Sequence, residues 1–131
     1  MFYRIDTNLT KEQSEKIVDS LTPIEVERLD SYKLKAYDME VNGKLSSFII
    51  TSRSIFTRLI LFLRQKEIEF QYEEITDDVL NGDIHFKGTL FESDVEDFIK
   101  ENLTVDHVLD KINKFGIESL TEFDRNILES H

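Results

Sequence analysis

Three observations predict an α+β fold for this chain. An apolar run from Phe48 to Thr51 passes through a polar break at Ser52, Arg53 and Ser54 into a helical pattern over Ile55–Lys66, then into an alternating run at Ile68–Tyr72. Asn42–Gly43 stands between two strand-like runs, and both residues tolerate the positive φ that a two-residue hairpin turn requires. A short strand-like start and a capped helix precede that hairpin. The order strand, helix, hairpin, helix, strand is the split βαβ order of a ferredoxin-like sandwich, and a helical segment is appended to it. A doubly wound sheet is disfavoured, because the hairpin forces an antiparallel pair where a crossover would be needed.

Met1–Asp6 reads as the first strand. Thr10 with Gln13 forms a capping-box start for a helix bearing Ile17, Val18 and Leu21. Thr22–Pro23 opens a second, shorter helix to about Ser31, since proline suits the first helical position and Glu25 completes another box. Pairing Val41 with Lys44 puts Tyr37 and Met39 on one face with Phe48 and Ile50, and that face is expected to meet the helices. Asp38 and Glu40 share the other face with Leu45 and Ser47. In the central helix, at about 100° per residue, Ile55, Phe56, Leu59, Ile60, Phe62 and Leu63 fill one arc, while Arg53, Thr57, Leu61 and Arg64 fall on the opposite side. Its apolar run is far below the roughly 18 residues of a membrane span. Ile68, Phe70 and Tyr72 alternate with charged or amide residues, as a sheet covered on one face demands.

Gly82 closes the first domain, taken as residues 1–82. Residues 83–131 read as an extended piece at Ile84, Phe86, Leu90 and Phe91, broken at Gly88, followed by three short helices. Ser93 with Glu96 caps the first, which carries Val95, Phe98 and Ile99; Thr104 starts the second, with Val105, Val108, Leu109 and Ile112, ended by Gly116. The third carries Phe123, Ile127 and Leu128 from Ser119 or Thr121. Helices this short are unstable alone, so their apolar stripes are expected to pack on each other, on the sheet domain or on another protein.

The 131 residues contain no cysteine, which excludes disulfides, thiolate metal sites and a cysteine nucleophile, and no secretory leader is legible. A cytoplasmic location is the expectation. Net charge is −11, so direct binding to nucleic acid or to an anionic membrane surface is not expected. Residues 1–80 hold 11 basic and 15 acidic groups, and residues 81–131 hold 5 and 12, so the tail is the acidic part. Against this, Val41 to Lys66 contains only basic charges: Lys44, Arg53, Arg58, Arg64 and Lys66.

Within residues 108–130 the run Leu109-Asp110-Lys111-Ile112-Asn113-Lys114-Phe115-Gly116-Ile117-Glu118-Ser119-Leu120-Thr121 reads as a helix, a glycine stop, a buried Ile117 and a capped second helix. It resembles a short helical module in the cytoplasmic tails of some bacterial rhomboid-family membrane proteins. The resemblance implies an appended interaction or regulatory module and carries over no catalytic residue. The protease's membrane spans, and its serine in a glycine-rich context, have no counterpart here.

Few residues invite a chemical role. His107 beside Asp106 and Asp110 could be drawn as a metal site or a base, but a solvated helical face is the stronger reading of the trio. Asp77, Asn81 and Gly82 match calcium-loop positions one, five and six, yet Val79 and Gly88 occupy positions that need carboxylates, which leaves a capped turn from Thr76 to Gly82. Asn8-Leu9-Thr10 and Asn102-Leu103-Thr104 fit the glycosylation pattern, but both threonines read better as helix caps. Ser52, Arg53 and Ser54, with Arg64 on the same basic edge, could hold a phosphate or carboxylate through free N–H groups and a guanidinium; a plain N-cap is the simpler reading.

No nucleophile, base or cofactor loop comes together in this pattern. The expectation is a small non-enzymatic interaction or regulatory protein, without metal or cofactor, that binds another protein. Leu61, Val105, Val108, Leu109, Ile112, Ile117 and Leu120 are its expected surface. The alternatives are an anion-binding domain using the basic edge of the central helix, and an acidic inhibitor of the immunity type. Partner identity and oligomeric state are not written in the pattern.

Overall fold

The computed structural model describes residues 1–130 and is α+β. Two compact units divide it, Met1–Glu74 and the residues from Ile75 onward. Among the described residues no helix is long and apolar enough to cross a membrane.

The first unit runs β1 (Phe2–Thr7), α1 (Lys11–Asp19), α2 (Pro23–Ser31), β2 (Lys35–Val41), β3 (Lys44–Ile50), α3 (Arg53–Gln65) and β4 (Phe70–Glu74). Its four strands form one antiparallel sheet in the order β2-β3-β1-β4. Both expected capping boxes form: Thr10 with Gln13 starts α1, and Thr22 with Glu25 starts α2 with Pro23 in its first turn. Val41 pairs with Lys44 as the turn chemistry requires, with Asn42 at φ 53° and Gly43 at φ 78°.

Two expectations are corrected here. The first concerns the face of the hairpin. The helix-facing core is Tyr3, Ile5, Ile49, Phe56, Leu59 and Ile60, with Leu29, Leu34, Leu63 and Phe70 packed against it. The face that meets the helices of this unit is therefore the one carrying Ile49 and Leu45, not the one carrying Tyr37, Met39, Phe48 and Ile50. Phe48, Ile49 and Ile50 are apolar in succession, so alternation could not choose between the faces, and Phe48 and Ile49 are both buried. At the centre of this core the Tyr3 and Phe56 rings stack at 3.7 Å, and Tyr72 meets Phe56 edge-on.

The second correction is that β4 spans Phe70–Glu74 and omits Ile68. The end of α3 is the cause. Glu67 takes φ 56° and donates its N–H to Arg64 O, while Ile68 N–H reaches back to Leu63 O. This is a Schellman closure with a glutamate where glycine is usual, and it holds Ile68 out of the ladder.

The second unit is helical: α4 (Thr76–Leu80), α5 (Glu92–Asn102), α6 (Val105–Phe115), a 3₁₀ turn at Ile117–Ser119 and α7 (Glu122–Glu129). No strand forms over Ile84–Phe91, contrary to expectation. Gly82 and Gly88 both take positive φ and fold the segment into turns, so Phe86 and Phe91 are both buried and meet edge to face at 5.5 Å. The expected Ser93–Glu96 cap is also absent: α5 begins at Glu92 without a side-chain cap, and the Glu92 carboxylate accepts the Gly88 N–H instead. Thr104 and Thr121 do cap α6 and α7, with His107 and Asp124 as their reciprocal partners.

Candidate functional site

The second unit encloses a cleft of about 500 Å³. Three segments wall it. The turn after α4 supplies Ile84 and Phe86; α5 turns Glu92, Val95, Glu96 and Ile99 inward at helical spacing; Phe115 and Phe123 close it from the ends of α6 and the start of α7. Phe115 is half exposed at the mouth, and Phe123 is fixed from behind by the Lys100 ammonium 4.8 Å from its ring centre. A cleft of this volume with an apolar wall is in the range that holds a small ligand or a partner's anchoring side chains.

One ion pair lines it. Lys111 Nζ lies 2.7 Å from Asp124 Oδ2, and that oxygen also accepts the Thr121 N–H at 2.8 Å. The Asp124 side chain is only 3 % exposed and the Lys111 side chain 14 %, so the charges are largely withdrawn from water and neutralise each other. Gly82 makes room for the lysine stem: a Cβ there would stand 3.1 Å from Lys111 Cε, and the backbone holds φ +84°. The withdrawn cation of the cleft is thus already matched by a carboxylate.

α6 is tied down on three successive turns of one side. His107 Nε2 lies 2.9 Å from Asp77 Oδ1, and His107 Nδ1 accepts the Thr104 N–H at 3.2 Å, which fixes the proton of the neutral ring on Nε2. Lys111 follows with Asp124, and Lys114 Nζ then reaches Asp83 Oδ2 at 2.7 Å. The hydrogen bond to Asp83 holds the Lys114 ammonium above its ordinary pKa range. The solvated-face reading is corrected for His107 alone, since Asp106 and Asp110 are exposed: the partner of His107 comes from α4, thirty residues back, and the imidazole is a brace. Asp77 belongs to this brace. Among the described residues no three His, Asp or Glu side chains gather as a metal would require.

The residues singled out in the sequence scatter. Ser52 Oγ caps the Ile55 N–H, and Ser54 is an exposed first-turn residue. Arg53 is exposed, and the Glu74 carboxylate stands 3.9 Å from it. Arg64 lies eleven residues further along α3, about 16 Å at helical rise, so the four do not converge on one anion. Leu61 is half exposed on α3. On α6, Val108 is fully buried in the core, Val105 and Ile112 are half-buried, and Leu109 is exposed. Leu120 is half-buried, and Ile117, expected inside, is 67 % exposed on the 3₁₀ turn. The cleft residues Phe86, Phe115 and Phe123 were not assigned a joint role from sequence. They span 37 residues of sequence, and the turn at Gly88, the α5–α6 link at Leu103–Thr104 and the turn at Gly116 bring them together.

No family model, curated protein or solved structure matches this chain.

Proposed function

We propose that this is a non-enzymatic interaction protein whose second unit receives an apolar anchor of a protein partner in the cleft walled by Phe86, Phe115 and Phe123. The observation that carries this is the cleft itself: an apolar wall, a half-exposed aromatic at the mouth, and a buried cation already neutralised by Asp124. A metabolite carrying an acid group would need an unpaired cation inside, and Lys111 is committed to Asp124. A side chain from a partner needs only the apolar wall and a mixed polar rim, which Lys87, Glu96 and Glu122 provide. A net charge of −11 favours a protein partner over nucleic acid.

For Met1–Glu74 we infer a ferredoxin-like sandwich with one extra helix. The antiparallel order β2-β3-β1-β4, with helices inserted between β1 and β2 and between β3 and β4, supports it. In this reading the helical unit is the module that receives the apolar anchor.

An environment-sensitive apolar dye tests the cleft. One saturable site per chain is expected, and Ser119→Trp, which places an indole at the wall, should remove it while leaving the melting temperature unchanged. Saturable binding that survives in a folded Ser119→Trp protein would place the site elsewhere.

A further inference from the structure

We propose that the open edge of β2 is a docking site for an extended peptide segment with Lys or Arg at alternate positions, which adds to the sheet as a fifth strand beside α1. β2 ends the sheet order and pairs with β3 in an unbroken register over all seven of its residues, six of which are exposed. Proteins usually blunt such an edge with a short strand, a proline, a bulge or charged side chains; β2 has none of the first three, and its guard is the charge of Lys35, Asp38 and Glu40, which a strand of matching charge neutralises. The opposite edge, β4, has five residues.

The outward backbone groups can be assigned. Val41 and Lys44 close a two-residue hairpin and so exchange both hydrogen bonds, and bonded and non-bonded pairs alternate from there. Glu40–Leu45 is then a non-bonded pair. Consistent with this, the Leu45 N–H donates to Leu9 O at 2.9 Å and the Leu45 carbonyl accepts from Thr7 Oγ1 at 3.0 Å, both on the β1 side. By the same alternation the N–H and C=O groups of Ala36, Asp38 and Glu40 point out of the sheet. Asp38 and Glu40 also line a groove of about 570 Å³ between the hairpin and Lys11, Ser14 and Glu15 of α1. An edge strand beside a helix-walled groove is the geometry of strand addition, in which main-chain bonds hold the peptide and alternate side chains are read.

Charge selects the occupant. Among the described residues, Glu15 of α1 and Asp38 and Glu40 of β2 line this groove with Lys11 as the only cation, a surplus of two negative charges. An added strand sets every second side chain over those carboxylates, which favours Lys or Arg there and repels Asp or Glu. A second copy of this chain is the poorer occupant: two β2 strands paired antiparallel in full overlap place Asp38 opposite Asp38.

The test uses the full chain and three synthetic peptides: an alternating Thr/Val-Lys heptamer, the same peptide with Glu for Lys, and the Lys peptide N-methylated at alternate backbone nitrogens. Amide chemical shifts read the binding. The Lys peptide is expected to perturb β2 and α1 amides saturably, with the Glu peptide and the double variant Asp38→Lys/Glu40→Lys each weaker by about tenfold or more. Ala36→Pro removes one outward N–H without touching the β2–β3 backbone bonds or the groove's charges, and should weaken binding in a protein that still melts normally. N-methylation of the peptide should do the same with the protein unaltered. Equal binding of the N-methylated peptide, shifts confined to other elements, or no saturable shift at millimolar peptide would overturn the proposal.

Discussion

Lys111 and Asp124 form an ion pair at 2.7 Å, with the Asp124 carboxylate almost wholly withdrawn from solvent while its second contact caps the first turn of α7. One carboxylate oxygen thus serves both the charge pair and the helix start. Removing the lysine alone leaves a buried, uncompensated charge. Lys111→Met should therefore destabilise the protein by about 3–5 kcal/mol. Urea denaturation followed by far-ultraviolet circular dichroism measures this, and a loss below about 1 kcal/mol would mean that water reaches the pair.

The hairpin gives a second, independent stability test. Gly43 sits at φ 78° with no atom within 4 Å of where a Cβ would stand, so any cost of a larger residue there is backbone strain alone. Gly43→Val should cost about 1–3 kcal/mol and Gly43→Asn far less, since asparagine tolerates this region. Equal melting temperatures for the two variants would contradict the turn.

Two ion-pair tethers, one half-buried and one exposed, bear on opposite limbs of the pH profile. Glu25 Oε2 meets Lys66 Nζ at 2.6 Å while Oε1 accepts the Thr22 N–H, and the Lys66 hydrogen bond, followed by that backbone bond, holds the Glu25 carboxyl below its usual range. Its stabilisation is complete above the unfolded carboxyl pKa and is lost as pH falls through the lowered folded one. Glu25→Gln should flatten the acid limb between those values. Lys114, raised by Asp83, behaves in reverse: its stabilisation is present below the unfolded lysine pKa and is lost as pH rises through the folded value. Lys114→Met should flatten the alkaline limb.

His107 braces α6 to α4 through Asp77 and completes the Thr104 cap. His107→Ala should cost about 0.5–2 kcal/mol and should speed amide exchange in Thr76–Leu80 more than in α5. Uniform acceleration across the second unit would show that the brace is not local.

The hairpin and four of the helix starts were legible in the sequence because their chemistry is local, whereas α4 and α5 begin without the side-chain caps expected at Thr76 and Ser93. A threonine with a partner three residues on, or Asn-Gly between two strands, needs no knowledge of the rest of the fold, and Thr10, Thr22, Thr104 and Thr121 all cap where they stand. What escaped had non-local causes. Phe48, Ile49 and Ile50 carry no alternation, so the helix-facing side of β3 was set by packing. The left-handed residue that delays β4 is a glutamate, which does not announce itself as glycine would. The partners of His107 and Lys111 lie thirty residues upstream and thirteen downstream, beyond the reach of any spacing rule. Ile117 reads as buried from its neighbours, yet the 3₁₀ turn after Gly116 leaves it outside.

The most direct test of the proposed function is site-specific photo-crosslinking in the native cell from position 115 and, as a control, from position 61. Both Phe115 and Leu61 are about half exposed, so accessibility does not distinguish them, and only Phe115 lines the cleft. The account predicts a discrete adduct with one protein from position 115, absent from position 61 and lost when Ser119→Trp is added. Adducts of equal yield from both positions, or an adduct from position 115 that persists with Ser119→Trp, would contradict it.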